Sequence, residues 1–288
     1  MALALALPAT AAPLEIGGGK IDVDLPPNDS DFPRALVLEW VSTAAHAVTK
    51  YYGRYPLDHV VIRIHEIDGD RINSGKTLGA HDGAVITVDV GRGTTKEHFQ
   101  RDWLLTHEMV HLAFPSVAEA HHWIEEGLAT YVEPIARVRM GNLRAAAAWS
   151  DVVRDLPQGL PDAGDRGLDH TPTWGRTYWG GALFCLLADI EIRRRTENAK
   201  GLEDALRGIL RAGGSISADW NLERALQTGD RATGVPVLQE LYAQMKDAPH
   251  PVDLDHLWKQ LGIERRGSTV VLHDDAPLAA VRKGIMPE

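Results

Sequence analysis

The order of apolar and polar positions divides the chain into a strand-rich first part and a helical second part. Alternation predicts a strand in KIDVDL (20–25), and β-branched residues bounded by Gly and Asp predict strands in HVVIRIHEI (59–67) and GAVITVDVG (83–91). A helical period predicts a helix from Pro33 to Gly53. STVVLH (268–273) predicts one more strand. Most of 123–262 has helical period, in runs at 123–138, 142–155, 174–197, 201–212, 219–228, 235–246 and 253–261.

A long helix is predicted where the two parts meet. Thr94-Thr95-Lys96-Glu97 fits a capping box, in which a Ser or Thr and a Glu three residues later satisfy free N–H groups at a helix start. The helix is expected to continue to Phe114, before Pro115. We therefore expect an α+β fold with a β-rich N-terminal subdomain at 13–95, a helical subdomain at 96–265, and a C-terminal strand and tail at 266–288.

Composition and charge narrow the class of protein. Of 288 residues, 44% are hydrophobic and 24% charged, which is typical of a globular protein with a sizeable core. The net charge of -10 disfavours a nucleic-acid partner. Cys185 is the single cysteine, so the chain forms no internal disulfide and no cysteine-based zinc cluster. Its apolar surroundings predict a small buried side chain.

The amino terminus has features of a secretion signal. An apolar run leads into Ala9-Thr10-Ala11, which a signal peptidase could cut before Ala12, although no basic segment precedes it. We expect a truncated signal peptide at 1–12 and an exported protein, periplasmic or secreted; the alternative is an alanine-rich tail. No later stretch approaches the roughly 20 apolar residues of a membrane span.

The stretch WLLTHEMVHLAF contains the pattern His-Glu-x-x-His, formed by His107, Glu108 and His111. Residues four apart lie one turn apart on the same face of a helix, so both imidazoles can bind one zinc ion. Glu108 can then reach a water molecule activated by the metal. The alternative is a helix with two unliganded histidines.

A third metal ligand is needed, and the segment HHWIEEGLATYVEP offers Glu125 and Glu126. Glu126, Thr130 and Glu133 are spaced i, i+4 and i+7, so they form one polar stripe on an apolar helix. Glu126 is therefore the predicted ligand, and Glu125 is interpreted as a solvated carboxylate at the helix start.

The two segments together resemble the gluzincin metallopeptidases, nearest to the alanyl/leucyl-type aminopeptidases and the glycyl-aminopeptidase-like group. The matching residues are His107, Glu108, His111, Trp123, Glu126, Gly127, Ala129, Tyr131 and Glu133. The resemblance implies a thermolysin-like zincin fold, a Zn²⁺ cofactor and a peptide or protein substrate. It also implies that Glu126 is the third ligand and that Glu133 orients a zinc-binding histidine.

Two weaker matches extend the resemblance. LGAHDG resembles a substrate-binding Gly-Ala-Met-Glu-Asn motif, with Gly79 and Ala80 in place and Asp82 where a glutamate binds the substrate's free amine; the alternative for Asp82 is a turn residue. TYWGGAL resembles the Tyr-x-Lys-Gly-Ala stretch whose tyrosine stabilises the oxyanion, which implies that role for Tyr178. The alternative for Tyr178 is a core tyrosine.

These residues predict a zinc-dependent peptidase in which Glu108 is the general base, with aminopeptidase activity favoured over endopeptidase activity. The substrate is expected to add itself to the sheet along AVITVDV (84–90) as an edge strand. Two other functions remain open: an inactive or very selective peptide-binding protein on the same fold, and a metal-dependent hydrolase of another bond.

Overall fold

The structure, a computed structural model, describes residues 13–27 and 31–288. The expected signal peptide at 1–12 lies outside the described residues, so the leader and export stay predictions. The described strands are β1 (Leu14–Ile16), β2 (Gly19–Asp24), β3 (His59–Ile67), β4 (Ile72–Ala80), β5 (Gly83–Gly91), β6 (Ile263–Arg266) and β7 (Thr269–Leu272). The described α-helices are α1 (Arg34–Tyr52), α2 (Lys96–Arg101), α3 (Leu104–His111), α4 (His122–Met140), α5 (Ala145–Asp155), α6 (Gly181–Arg195), α7 (Leu202–Arg211), α8 (Leu222–Thr233), α9 (Val237–Met245), α10 (Leu254–Leu261) and α11 (Ala279–Ile285).

Five strands form one mixed sheet in the order β1-β2-β3-β5-β4. β3 is parallel to both β2 and β5, whereas β1 and β4 pair antiparallel with their neighbours. The inner strands bury every second residue, such as Val60, Ile62 and Ile86.

The prediction that AVITVDV is the edge strand was wrong. Its strand, β5, lies between β3 and β4, so both of its sides are already paired. The edge strand next to β5 is β4, INSGKTLGA, which the apolar pattern did not reveal. No β4 residue is fully buried, so this strand has no apolar face to produce an alternating pattern.

The expected long helix is divided into α2 and α3. Asp102 has extended backbone angles, and its carboxylate accepts hydrogen bonds from the backbone N–H of Leu105 at 3.2 Å and from Trp40 Nε1 at 3.0 Å. Asp102 therefore ends one helix and satisfies a free N–H at the start of the next. The predicted capping box is displaced by one residue, because the backbone N–H of Thr95 donates to His98 Nδ1 at 3.2 Å.

The helical part packs closely around α4 and α6. A side chain at Gly127 in α4 would meet the backbone of Gly181 in α6 at 2.3 Å, so two glycines allow the helices to touch. A π-helical turn, Arg176–Gly180, leads into α6, where one continuous helix was expected. Cys185 in α6 is buried and free, as predicted.

The chain end departs from the expected single strand and tail. β6 and β7 form an antiparallel hairpin, and α11 follows it. The described molecule thus has a mixed sheet part and a helical part. None of its described helices combines the length and hydropathy needed to cross a lipid bilayer.

Candidate metal centre

Two neighbouring helices bring three potential metal ligands together. His107 and His111 lie one turn apart on α3, and Glu126 faces them from α4. Glu126 Oε2 is 3.2 Å from His107 Nε2 and 3.6 Å from His111 Nε2. One potential ligand atom from each residue falls within a group spanning at most 4.8 Å, the one such group among the described residues.

The electrostatics of this cluster suit a divalent metal ion. Burial lowers the pKa of His111 to about 4, so its imidazole is neutral at physiological pH. Burial opposes ionisation of Glu126, but hydrogen bonds with His107 and His122 outweigh it and lower its pKa. A metal requires neutral imidazole and ionised carboxylate. Two nitrogens and one oxygen also form a ligand set typical of catalytic zinc, so the residues fit this ion.

Glu108 is buried between the metal-ligand cluster and strand β4. The hydroxyl of Thr77 lies 2.6 Å from Glu108 Oε2 and 2.9 Å from the Glu108 carbonyl oxygen. Gly75 lies so close that a Cβ there would be 2.7 Å from Glu108 Cγ and Oε1. Burial raises the pKa of Glu108, and the Thr77 hydrogen bond works against that rise. β4 therefore both covers this carboxylate and binds it.

Tyr178 reaches the cluster from the π-helical turn. Its ring stacks on that of His107, with centroids 6.3 Å apart and an interplanar angle of 19°. Burial, together with the carboxylate of Glu126, raises its pKa to about 12, so the hydroxyl keeps its proton. The buried ion pair of Arg176 and Asp165, at 2.6 Å, fixes the turn that carries Tyr178.

His122 also contacts the centre. Its Nδ1 is 3.1 Å from Glu125 Oε2, and its Nε2 is 3.4 Å from Glu126 Oε1. These two carboxylates, Glu125 first, raise the pKa of His122 to about 10. From sequence alone His122 is interpreted as a residue at a helix start that faces solvent, with contact to a substrate as the alternative; its spacing of four residues before Glu126 is the signal for its place here. Glu125 lies beside the centre but outside the group of converging ligand atoms.

Glu133 was predicted to orient a zinc-binding histidine. Glu133 is buried and paired with Arg137 at 2.8 Å, and burial raises its pKa to about 7. Its expected contact with a zinc-binding histidine stays a prediction.

The residues predicted to bind substrate lie along β4 and the turn that follows it. Gly79 lines the cleft, and Ala80 ends β4 beyond it. Asp82 lies at the exposed β4–β5 turn, where its side chain is 94% exposed and bonds His81. The structure does not bring Asp82 into the cleft.

A cleft of about 470 Å³ collects the central residues. It contains His107, Glu108, His111, Glu126 and Tyr178, with β4 along one side. Sequence reasoning missed Thr77 and Trp103, which also line it. Trp103 makes an edge contact with the ring of His107 at 5.4 Å, and its position four residues before His107 on the same helical stretch is the signal that could have revealed it.

Neither a protein-family model nor a curated protein matches this chain. Solved structures do match it. An aminopeptidase N family protein from Idiomarina loihiensis has a TM-score of 0.65 at 13% identity, over 88% of this chain and 49% of its own. A mutant M1 zinc metallopeptidase from Deinococcus radiodurans has a TM-score of 0.52 at 14% identity, over 84% of this chain and 52% of its own. A mutant of the same metallopeptidase bound to a Tyr-Ser-Ala substrate has a TM-score of 0.51 at 15% identity, also over 84% of this chain and 52% of its own.

These similarities identify the fold. The chain spans about half the length of each of these structures, at identities of 13–15%. Its sheet part and helical part together match domains of M1 zinc metallopeptidases. The Deinococcus radiodurans structures are named for zinc, and the His-His-Glu group in this chain could hold a metal ion.

Proposed function

We propose that this protein is a zinc-dependent peptidase of the gluzincin type, with the thermolysin-like arrangement of a strand above two metal-binding helices. The observation that carries the proposal is the convergence of His107, His111 and Glu126 in a cleft that also contains Glu108. The similarity in fold to M1 zinc metallopeptidases supports it.

The chemistry divides between the metal and the side chains. Zinc held by His107, His111 and Glu126 would supply a Lewis acid that polarises a carbonyl and makes water more acidic. Glu108 lines the same cleft and takes the proton of the attacking water. The same carboxyl group then returns this proton to the leaving amine. A buried carboxyl group with a raised pKa is suited to both transfers.

Tyr178 and β4 complete the proposed site. The protonated hydroxyl of Tyr178 donates a hydrogen bond to the oxyanion that develops on the substrate carbonyl. β4 is the sheet edge beside Glu108, so the substrate pairs with its free main-chain groups rather than with β5. Gly79 lies on this strand and lines the cleft, and its missing side chain lets the backbone of Ile216 pack against β4, because a Cβ there would be 2.6 Å from the Ile216 carbonyl oxygen.

We favour aminopeptidase activity, because one similar structure belongs to the aminopeptidase N family. Asp82 is not part of this proposal, because its carboxylate lies outside the cleft.

The test is mass spectrometry of a defined peptide mixture incubated with zinc-loaded protein, chelator-treated protein and Glu108→Gln. We expect amino-terminally shortened products from the zinc-loaded protein alone. Internal cuts that depend on Glu108 would keep the peptidase proposal and refute the aminopeptidase form. Absence of any Glu108-dependent product would refute the peptidase proposal.

A further inference from the structure

A second cavity, larger than the cleft, lies next to it. Its volume is about 710 Å³, within the range of about 300–1,000 Å³ that is usual for ligand pockets. It shares Trp103, His107 and Tyr178 with the cleft, so the two are adjacent beside the metal-ligand cluster. The second half of α4 and the part of α5 from Ala148 to its end at Asp155 supply other parts of its wall, and Leu143 lines the wall from the turn between these helices.

Three tryptophans line this cavity. Trp174 is 61% exposed and stacks on Tyr178 with ring centroids 5.6 Å apart, and Trp103 is 53% exposed. Trp179 lines the wall as well. Of the five large hydrophobic residues that are exposed in the described ranges, Leu78, Trp103 and Trp174 line one of the two cavities. Grouped exposed apolar residues are typical of binding sites.

The charged residues in the wall already have partners. Arg137 pairs with Glu133 at 2.8 Å, and Arg154 pairs with Asp151 at 2.6 Å and with Asp155 at 2.5 Å. The remaining charged residue, Arg101, pairs with Glu97 at 2.6 Å. The wall thus contains three arginines and three carboxylates and has no net formal charge, and Glu97, the partner of Arg101, lies outside it.

The direction of β4 determines which part of a bound peptide lies nearest the second cavity. Gly79 contacts Ile216, whose backbone N–H bonds the carbonyl of Leu112 just after α3, whereas Gly75 contacts Glu108 within α3. Moving from Gly79 to Gly75 therefore leads toward the start of α3, where Trp103 borders the second cavity. A peptide paired antiparallel to β4, the commoner kind of pairing, runs in this direction from its amino end to its carboxyl end.

We infer that this cavity binds an aromatic or large aliphatic side chain on the substrate residue that follows the scissile bond. The inference rests on the proposed peptidase function for the position of that bond. An uncharged apolar side chain is stabilised by burial against the tryptophans. It needs no charged partner, and the charged groups in the wall already have partners.

The test compares peptides that differ only at the residue after the cut, carrying Phe, Leu, Ala, Asp or Lys. We expect kcat/KM for Phe to exceed that for Ala by about tenfold or more, as burial of a large apolar side chain implies. Trp174→Ala should reduce the Phe/Ala ratio toward one. The ratio separates recognition from damage to Tyr178, because a displaced Tyr178 would slow both substrates equally. Equal rates for Phe and Ala, or an aromatic preference before the cut, would overturn the inference.

A variant that creates a new substrate preference is a stricter test than a variant that removes one. Leu143→Arg places an unpaired cation in the wall and should shift the preference toward Asp. Met140→Ala removes another exposed apolar side chain, 38% exposed and outside the cavity, and should leave the ratios unchanged. An unchanged Phe/Asp ratio in Leu143→Arg would count against the cavity as the recognition site.

A binding measurement tests the cavity separately from catalysis. N-acetyl-phenylalanine amide, whose blocked amine prevents it from binding as the amino-terminal residue of a substrate, should change tryptophan fluorescence at a lower concentration than N-acetyl-alanine amide, and Trp174→Ala should weaken that difference. If no peptide is cut but the two amides still differ in binding, the proposed peptidase function is refuted, whereas the inference that the cavity binds an aromatic side chain is supported. Equal binding of the two amides would refute the cavity even if peptides are cut.

Discussion

The hydrogen bond between Thr77 and Glu108 gives a sharp prediction for Thr77→Val. Valine keeps the shape of threonine but removes the hydroxyl, which lies 2.6 Å from the carboxylate. A hydrogen bond to a charged group contributes about 1.5–3 kcal/mol, and we take about 1.5–2 kcal/mol because Thr77 is half-buried. If the bond fixes Glu108 for proton transfer, kcat should fall by about 10- to 30-fold.

The pH profile should change as well. The Thr77 hydroxyl lowers the pKa of Glu108, so its removal raises that pKa further. Glu108 acts as a base only when ionised, and the acidic limb of the kcat profile should therefore move to higher pH. The assay is steady-state hydrolysis of one peptide from pH 5 to pH 9, with the unfolding midpoint of each variant measured in parallel.

Two control variants separate the hydroxyl from the fold. Thr77→Ser keeps the hydroxyl and should retain most of the activity. Thr87→Val makes the same chemical change on β5, opposite Lys76, and should leave both kcat and the acidic limb unchanged. Thr77→Val with full kcat and an unmoved acidic limb would refute a role for this hydrogen bond in catalysis.

Three further predictions concern the ligand set, the close contact at β4 and the break before α3. Glu126→Ala should weaken zinc binding in calorimetry by more than the roughly 10–100-fold expected for losing a group that merely orients a ligand, whereas Glu125→Ala should not; the reverse result would contradict the assignment. Gly75→Ala places a Cβ 2.7 Å from Glu108, so kcat should fall by about tenfold or more, and an unchanged kcat would show that the strand can shift freely. Burial raises the pKa of Asp102 above 3.8, so its contribution to stability is full below that pH and is lost as pH rises through the folded-state pKa. Asp102→Asn does not titrate, and its unfolding free energy relative to the parent protein should therefore rise over that range in urea titrations; a constant difference would exclude this effect.

The sequence predicted the buried elements well, because burial leaves a periodic pattern. α1, β3 and β5 each bury one face or one stripe, and their ranges lie close to the expected ones. β4 escaped detection because an edge strand over a cleft is partly open on both faces. The break at Asp102 was missed because the Trp40 side chain that helps to fix it is 62 residues away.

The candidate site also contains some residues that the sequence revealed and others that it did not. The spacing of His107 and His111 on a single helix is a local property, and the stripe through Glu126 is another, so both could be recognised in the sequence. The contact of Thr77 with Glu108 depends on how a strand lies on a helix, which no local pattern encodes. The same applies to Trp174, whose place beside Tyr178 follows from the π-helical turn.

The central claim is that His107, His111 and Glu126 hold zinc, and anomalous X-ray scattering at the zinc absorption edge tests it most directly. In crystals grown with zinc, the account predicts one strong peak at about 2.0–2.2 Å from an imidazole nitrogen of each histidine and from a carboxylate oxygen of Glu126. A peak elsewhere, or none between these three side chains at full zinc saturation, would contradict it.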